Sequence, residues 1–428
     1  MTSDSSQARS GDPQRLVDPE RVLDLERSLI QIPSSSFEEQ AIADFLAEYM
    51  TGIGLDVEMM DVPSPRDPAV VSRQPIGRLR GTGGGPSLML NGHMDPGVEM
   101  SGWSVDPYGA KFEDGWIWGM GAHDDKGGIA AMVSAVDAVI RSGARLAGDV
   151  LVCPVVAHKY GGAGTRALLA HGVTADICIN LEHSANTIAN VCVGIVMARV
   201  RTTSPDLFFR FSDEARAAFW NPVEQQGEIL RRIGPSLTPA GEDSWMTFTP
   251  HPDLSGFPMH NVDVIHKEHY YQPNFTGLST RDCELVFQVR TVPGQTVQSV
   301  RADVERLLDG IASDHPAFRY ELELPAPGTE TSWCQDPMEM AKDHPLVVHL
   351  AEGHERASGE APHIGGYGRL GNVGDGNILA AAGIPSLQYG PGDIRIYDEW
   401  PTPDERVRLD DLVVAARAIA WAIPGVCG

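Results

Sequence analysis

Apolar residues recur at helical spacing from Pro19 onward. Val22, Leu23, Leu25, Leu29 and Ile30 share one such pattern, and Ile42, Leu46 and Met50 form another after the Ser34-Ser35-Ser36 break. Short apolar runs then alternate with helical stretches. Residues 87–90 and 150–156 read as buried strands, and residues 127–140 between them read as a helix rich in Ala and Val. That alternation predicts an α/β layer with a mainly parallel sheet. Near residue 191 the texture changes. Residues 191–201 read as a strand, 204–277 as an irregular stretch with many Pro, Gly and aromatic residues, and 283–290 as a strand. Residues 297–311 read as a helix with Val300, Val304, Leu307 and Leu308 on one face, and 318–324 as a further strand. After Pro325 the first texture returns, with helices at 346–357 and 409–423 and a strand at 384–389. The expected organisation is a disordered tail over 1–14, an α/β domain built from 15–190 and 326–428, and an inserted α+β domain at 191–325.

Composition narrows the class. Hydrophobic residues are 42% of the 428 and charged residues 21%, enough apolar side chain for real cores. The formal charge of −25 argues against a nucleic-acid or anionic-membrane partner, because phosphates are held by Lys and Arg. Divalent cations remain compatible with it. The six cysteines form no C-x-x-C pair and read as free thiols of a reducing compartment. Residues 1–14 lack an apolar signal core and no run of about 18 apolar residues occurs, so a cytoplasmic location is expected.

Candidate chemistry follows the strands. His93 and Asp95 stand directly after the strand at 87–90. Asp124 lies in the turn Gly119-Met120-Gly121-Ala122-His123 that opens a helix, and Glu182 follows the run Ile177-Cys178-Ile179-Asn180. Ligand sites in open α/β sheets collect at the carboxyl ends of strands. One imidazole and two carboxylates with an open position make a catalytic zinc site. Singly, each residue has a plainer reading: a loop histidine, a helix N-cap and a solvated acid.

The ordered set resembles the dinuclear zinc amidohydrolase family, which includes acetylornithine deacetylase, succinyl-diaminopimelate desuccinylase, aminoacylase and glutamate carboxypeptidase. It runs through His93-x-Asp95, Asp106-Pro107, Trp118 to Gly128, Gly161 to Thr165, Arg290 to Gln295, Gly374-Asp375, Tyr389 to Gly392 and Thr402 to Arg406. The resemblance implies a phosphorylase/hydrolase-like catalytic α/β domain and an inserted lid that dimerises. It implies His93, Asp124 and Glu182 as metal ligands, with Asp124 bridging and Asp95 orienting His93. It also implies Arg290 and Asn274 as lid residues that contact substrate.

The departures are as informative. Where the family carries a Glu-Glu pair, this chain has His158 and Lys159. An ammonium has no lone pair and repels a dication. The second-metal histidine is missing too: its place falls between Asp398 and Pro401. No histidine occurs between His183 and His251 to serve as the lid histidine. The expectation is therefore one divalent ion, zinc, with His158 as proton-moving base and Lys159 as stabiliser of negative charge, paired with Asp398 or Glu399. The expected activity is a homodimeric, single-metal enzyme acting on an amide or acyl bond of a small carboxylated amino-acid derivative. The alternatives are a scaffold redirected to transfer, condensation or lyase chemistry, and a non-catalytic binding protein.

Overall fold

The computed structural model describes residues 11–97, 100–205, 212–266, 282–328, 334–367, 373–398 and 402–428. The chain divides into two compact units, residues 1–191 with 338–428, and residues 192–337. The later boundary falls beyond the expected 325, because Cys334 and Gln335 still pair with the strand Gly194–Thr203.

The first unit is built on a six-stranded sheet. Its spatial order is Asp56–Pro63, Val71–Leu79, Val150–Val155, Leu88–His93, Ile177–Asn180 and Ser386–Gln388. The last four run parallel, and the first two add an antiparallel edge. Leu88–His93, Val150–Val155 and Ile177–Asn180 are buried throughout, so their sequences are apolar runs rather than alternations. The helix Lys126–Ser142 is buried on nearly all sides and packs on Leu409–Cys427, which also packs on Pro345–Ser358. Glycine is required where that first helix starts. A Cβ on Gly128 would overlap Asp125 Oδ1 and the carbonyl of Leu181, the residue before Glu182.

The chain is anchored earlier than expected. Pro13–Leu16 form a short 3-10 helix capped by Asp12, and buried Gln14 donates to the carbonyls of Gly353 (2.7 Å) and Arg417 (3.1 Å). Residues 12–14 are therefore structural, not part of a tail.

The second unit holds an antiparallel sheet ordered Met259–His266, Asp282–Thr291, Gly194–Thr203 and Tyr320–Glu323. Asp282–Thr291 alternates: Leu285, Phe287 and Val289 join the core with Val304 and Leu308 of the helix Val297–Asp314. The stretch read as irregular contains a helix, Pro222–Ile233, and the strand Met259–His266. The helix escapes an apolar-pattern search because two core-facing positions are glutamines. Buried Gln226 donates to the carbonyls of Val200 (3.0 Å) and Cys283 (2.9 Å).

Candidate metal centre

Three adjacent parallel strands end on the same edge, because their pairing starts in step: Leu88 faces both Val150 and Ile177. The first strand ends in His93. The second leads through Ala157, in the left-handed region (φ 52°), into the turn carrying His158 and Lys159. The third leads to Glu182 and His183. Asp124 arrives from the glycine-rich turn before the helix Lys126–Ser142. All four strand-end and turn sites meet in the first unit.

His93 is buried, and its Nδ1 lies 2.8 Å from the main-chain oxygen of Asp95. That oxygen only accepts, so Nδ1 carries the hydrogen and Nε2 turns inward. His93 Nε2 lies 2.9 Å from Asp124 Oδ1. The other Asp124 oxygen accepts a hydrogen bond from Lys159 Nζ at 2.8 Å. Glu182 is buried between two groups: the donor atoms of His93, His158 and Glu182 lie within 4.8 Å of one another, as do those of Asp124, Glu182 and His183. Among the described residues its Oε1 is buried without a hydrogen-bond partner. A buried carboxylate oxygen left unsatisfied is costly, and a cation would satisfy it. The residues fit a metal ion on that ground.

The first group is not a ligand set for a single ion as it stands. The His93 and His158 rings stack with centroids 4.2 Å apart and planes 8° from parallel. An ion bound in line with an imidazole nitrogen lies near that ring's plane, and two separated parallel planes share no such point. His93, Asp124 and Glu182, with His183 Nδ1 at 3.7 Å from Asp124 Oδ1 and 3.8 Å from Glu182 Oε2, remain as convergent donors.

The charges around these donors are mixed. Burial alone would raise the Asp124 carboxyl, but the Lys159 ammonium and then the neighbouring His183 and His93 hold it well below the usual range. Burial disfavours the Lys159 charge, and Asp124 and Glu182 more than offset this, so the ammonium is held above its ordinary pKa. Asp125 is pushed well up by burial and by the neighbouring Glu182 and Asp124. Burial would lower His158, yet Asp375 and Glu182 raise it to about 9.

Several expected placements are corrected by this geometry. Asp95 does not orient His93 through its side chain: the nearer carboxylate oxygen is 3.7 Å from Nδ1. Its carboxylate instead accepts from the backbone N–H of His158 (2.9 Å) and of Lys159 (3.1 Å) and from Ser36 Oγ (2.6 Å). Asp95 therefore seats the turn that carries both departures. His158, raised to about 9 by its acidic neighbours, carries a proton at neutral pH and is unsuited to the role of base. Lys159 pairs with Asp124 rather than Asp398, which is exposed to solvent. Glu399, Pro401 and Asn274 lie outside the described residues. Arg290 lies in the second unit on Asp282–Thr291; its Nε donates to Gln288 Oε1 (3.1 Å), and burial lowers its pKa to about 10.

Two residues without an assigned role also stand here. His183 follows Glu182 where the strand has ended, so the side-chain alternation that would separate neighbours no longer applies. Asp375, buried at the start of the helix Asp375–Ala381, accepts from His158 Nδ1 (3.0 Å) and Thr165 Oγ1 (2.8 Å). The glycine-aspartate motif contained it, but nothing in the spacing points across to His158.

The sequence profile of peptidase family M20/M25/M40 matches residues 89–423. The N-formyl-4-amino-5-aminomethyl-2-methylpyrimidine deformylase of Bacillus subtilis is 27% identical over 411 residues, covering 91% of this chain and 89% of that protein. A succinyl-diaminopimelate desuccinylase of Methylorubrum extorquens is 26% identical over 395 residues, covering 90% of this chain and 94% of its own. Among solved structures, a tripeptidase from Staphylococcus aureus superposes with a TM-score of 0.72 at 20% identity, covering 96% of this chain and 99% of that one.

Proposed function

Because the chain belongs to peptidase family M20/M25/M40, we propose that it is a hydrolase of an amide or acyl bond in a small N-acyl compound, working with one divalent ion. The observation that carries this reading is the contact of Lys159 Nζ with Asp124 Oδ2 at 2.8 Å. It puts a fixed ammonium on the carboxylate that the resemblance gives to two ions.

In this proposal His93, Asp124 and Glu182 hold the ion. A zinc ion bound there supplies an acidified water and polarises the acyl carbonyl. Lys159 Nζ donates to the oxygen on which negative charge develops. His158 Nε2–H protonates the leaving nitrogen, while Nδ1–H stays on Asp375 and fixes the ring. The water oxygen would form the new C–O bond as the C–N bond breaks; of the water's two protons, one would leave to solvent when the water is activated and the other would pass from the new carboxyl group to restore His158. The products are a carboxylate and an amine, and the amine takes up the solvent proton as ammonium.

The test is acyl release, followed by NMR, from the two compounds named for the relatives: N-formyl-4-amino-5-aminomethyl-2-methylpyrimidine and succinyl-diaminopimelate. Release of formate or succinate by the zinc-loaded protein supports hydrolysis. Binding without release from either overturns it and returns the scaffold to a non-hydrolytic or binding role.

The pH profile tests His158. Its imidazolium is the working form, so activity is present below its pKa and lost as pH rises through it. The wild-type alkaline limb is expected near the raised value of about 9. In Asp375→Asn the raising charge is gone while one acceptor oxygen for Nδ1–H stays, and the limb should move down by roughly one to three units. An unmoved limb in kcat/KM would assign the proton transfer to another group.

A further inference from the structure

Glu405 belongs to the Thr402-to-Arg406 motif, to which the proposed reaction gives no role. It is buried, 3% exposed, just before the short strand Arg406–Arg408. Its carboxylate accepts three backbone N–H groups from one turn: Gly121 to Oε2 at 3.0 Å, and His123 and Asp124 to Oε1 at 2.8 and 3.0 Å. Its own carbonyl accepts a fourth, from Gly119 at 2.9 Å.

The turn's own hydrogen bonds run from Ala122 N–H to the Gly119 carbonyl (3.1 Å) and from Lys126 N–H to the Gly121 carbonyl (2.9 Å), and leave the amides of Gly121, His123 and Asp124 to Glu405. Gly121 sits in the left-handed region (φ 80°), and Asp125 stands at the helix cap position without making the side-chain bond. The amide of Asp124 is therefore fixed from outside the turn, by a carboxylate 281 residues away in sequence. Burial and the neighbouring Asp124 push Glu405 up to about 7, against the three backbone N–H groups that converge on its carboxyl and favour the charged form.

We propose that Glu405 is the positioning residue for Asp124: it locks the glycine turn so that the Asp124 carboxylate stays between His93 and Lys159. The inference rests on the reading of Asp124 as a metal ligand. Its structural part, that Glu405 fixes the turn, stands on the hydrogen bonds alone.

The test uses the full-length protein with two variants and two readouts. Glu405→Gln keeps one acceptor oxygen for His123 and Asp124 but turns an NH2 toward the Gly121 N–H. Glu405→Ala removes every acceptor. Cobalt(II) titration of the metal-free protein, followed by absorption, reads the affinity. Deuterium exchange of the peptide over residues 119–125, followed by mass spectrometry, reads the turn without any metal. Glu405→Gln should weaken cobalt binding by about 10- to 100-fold, the usual cost of losing a partner that orients a ligand. Exchange over 119–125 should quicken in the order wild type, Gln, Ala. If the alanine variant does not fold, the glutamine variant decides. A lower melting temperature with unchanged exchange at 119–125 and unchanged cobalt affinity overturns the inference, because Glu405 would then support the fold only. Wild-type protein that takes up no cobalt overturns the metal reading instead, and the exchange experiment still decides whether Glu405 fixes the turn.

Discussion

Lys159→Met should lower kcat by about 10²- to 10³-fold, the range for losing one donor aimed at a developing oxyanion. Methionine keeps the length and apolar stem of lysine and removes only the charge and the hydrogen-bond donors. The wild-type ammonium sits 2.8 Å from Asp124 Oδ2 and its side chain is 31% exposed, so it is fixed by the protein yet reachable by a substrate. A loss in kcat with little change in KM is the signature of an interaction made in the transition state. Circular dichroism melts of both proteins separate this from unfolding. Full activity in Lys159→Met would mean that the lysine only neutralises Asp124, and the proposed stabilisation of the oxyanion would be abandoned.

The parts of this site that were legible in the sequence are those fixed by local rules. Fully buried parallel strands must be apolar runs, so Leu88 to Leu90 and residues 150–155 mark two strands and place His93 and the His158-Lys159 turn at their ends. A glycine turn before an Ala- and Val-rich helix likewise marks Asp124. What was not legible depends on contacts between distant segments. Asp95 was expected to hold the His93 ring through its carboxylate. The ring takes the Asp95 main-chain oxygen instead, and the carboxylate reaches backbone amides more than sixty positions away. Lys159 had several acids to choose from, and only the fold decides for Asp124. The His158–Asp375 pair joins residues 217 apart, and that pairing turns a histidine of ordinary pKa into one charged at neutral pH. Sequence gives the residue type, while the charge state belongs to the assembled neighbourhood.

His93→Ala should abolish hydrolysis and weaken metal binding sharply. Wild-type protein purified with zinc is expected to hold about one ion per chain, measured by elemental analysis against protein concentration. Three protein donors are a minimum for a catalytic site, and His93 is the one uncharged donor among His93, Asp124 and Glu182. Its Nε2 is presented inward because Nδ1 is spent on the Asp95 carbonyl. His158 stacks on the His93 ring at 4.2 Å with its plane 8° from parallel, so it cannot turn into the vacated place without breaking its bond to Asp375. Affinity should therefore fall by more than the roughly 10- to 100-fold cost of losing an outer partner, and no measurable hydrolysis should remain. Two ions per wild-type chain would refute the argument that the Lys159 ammonium excludes the second. One ion that survives His93→Ala unchanged would move the centre to Asp124, Glu182 and His183, the other group whose donor atoms lie within 4.8 Å of one another.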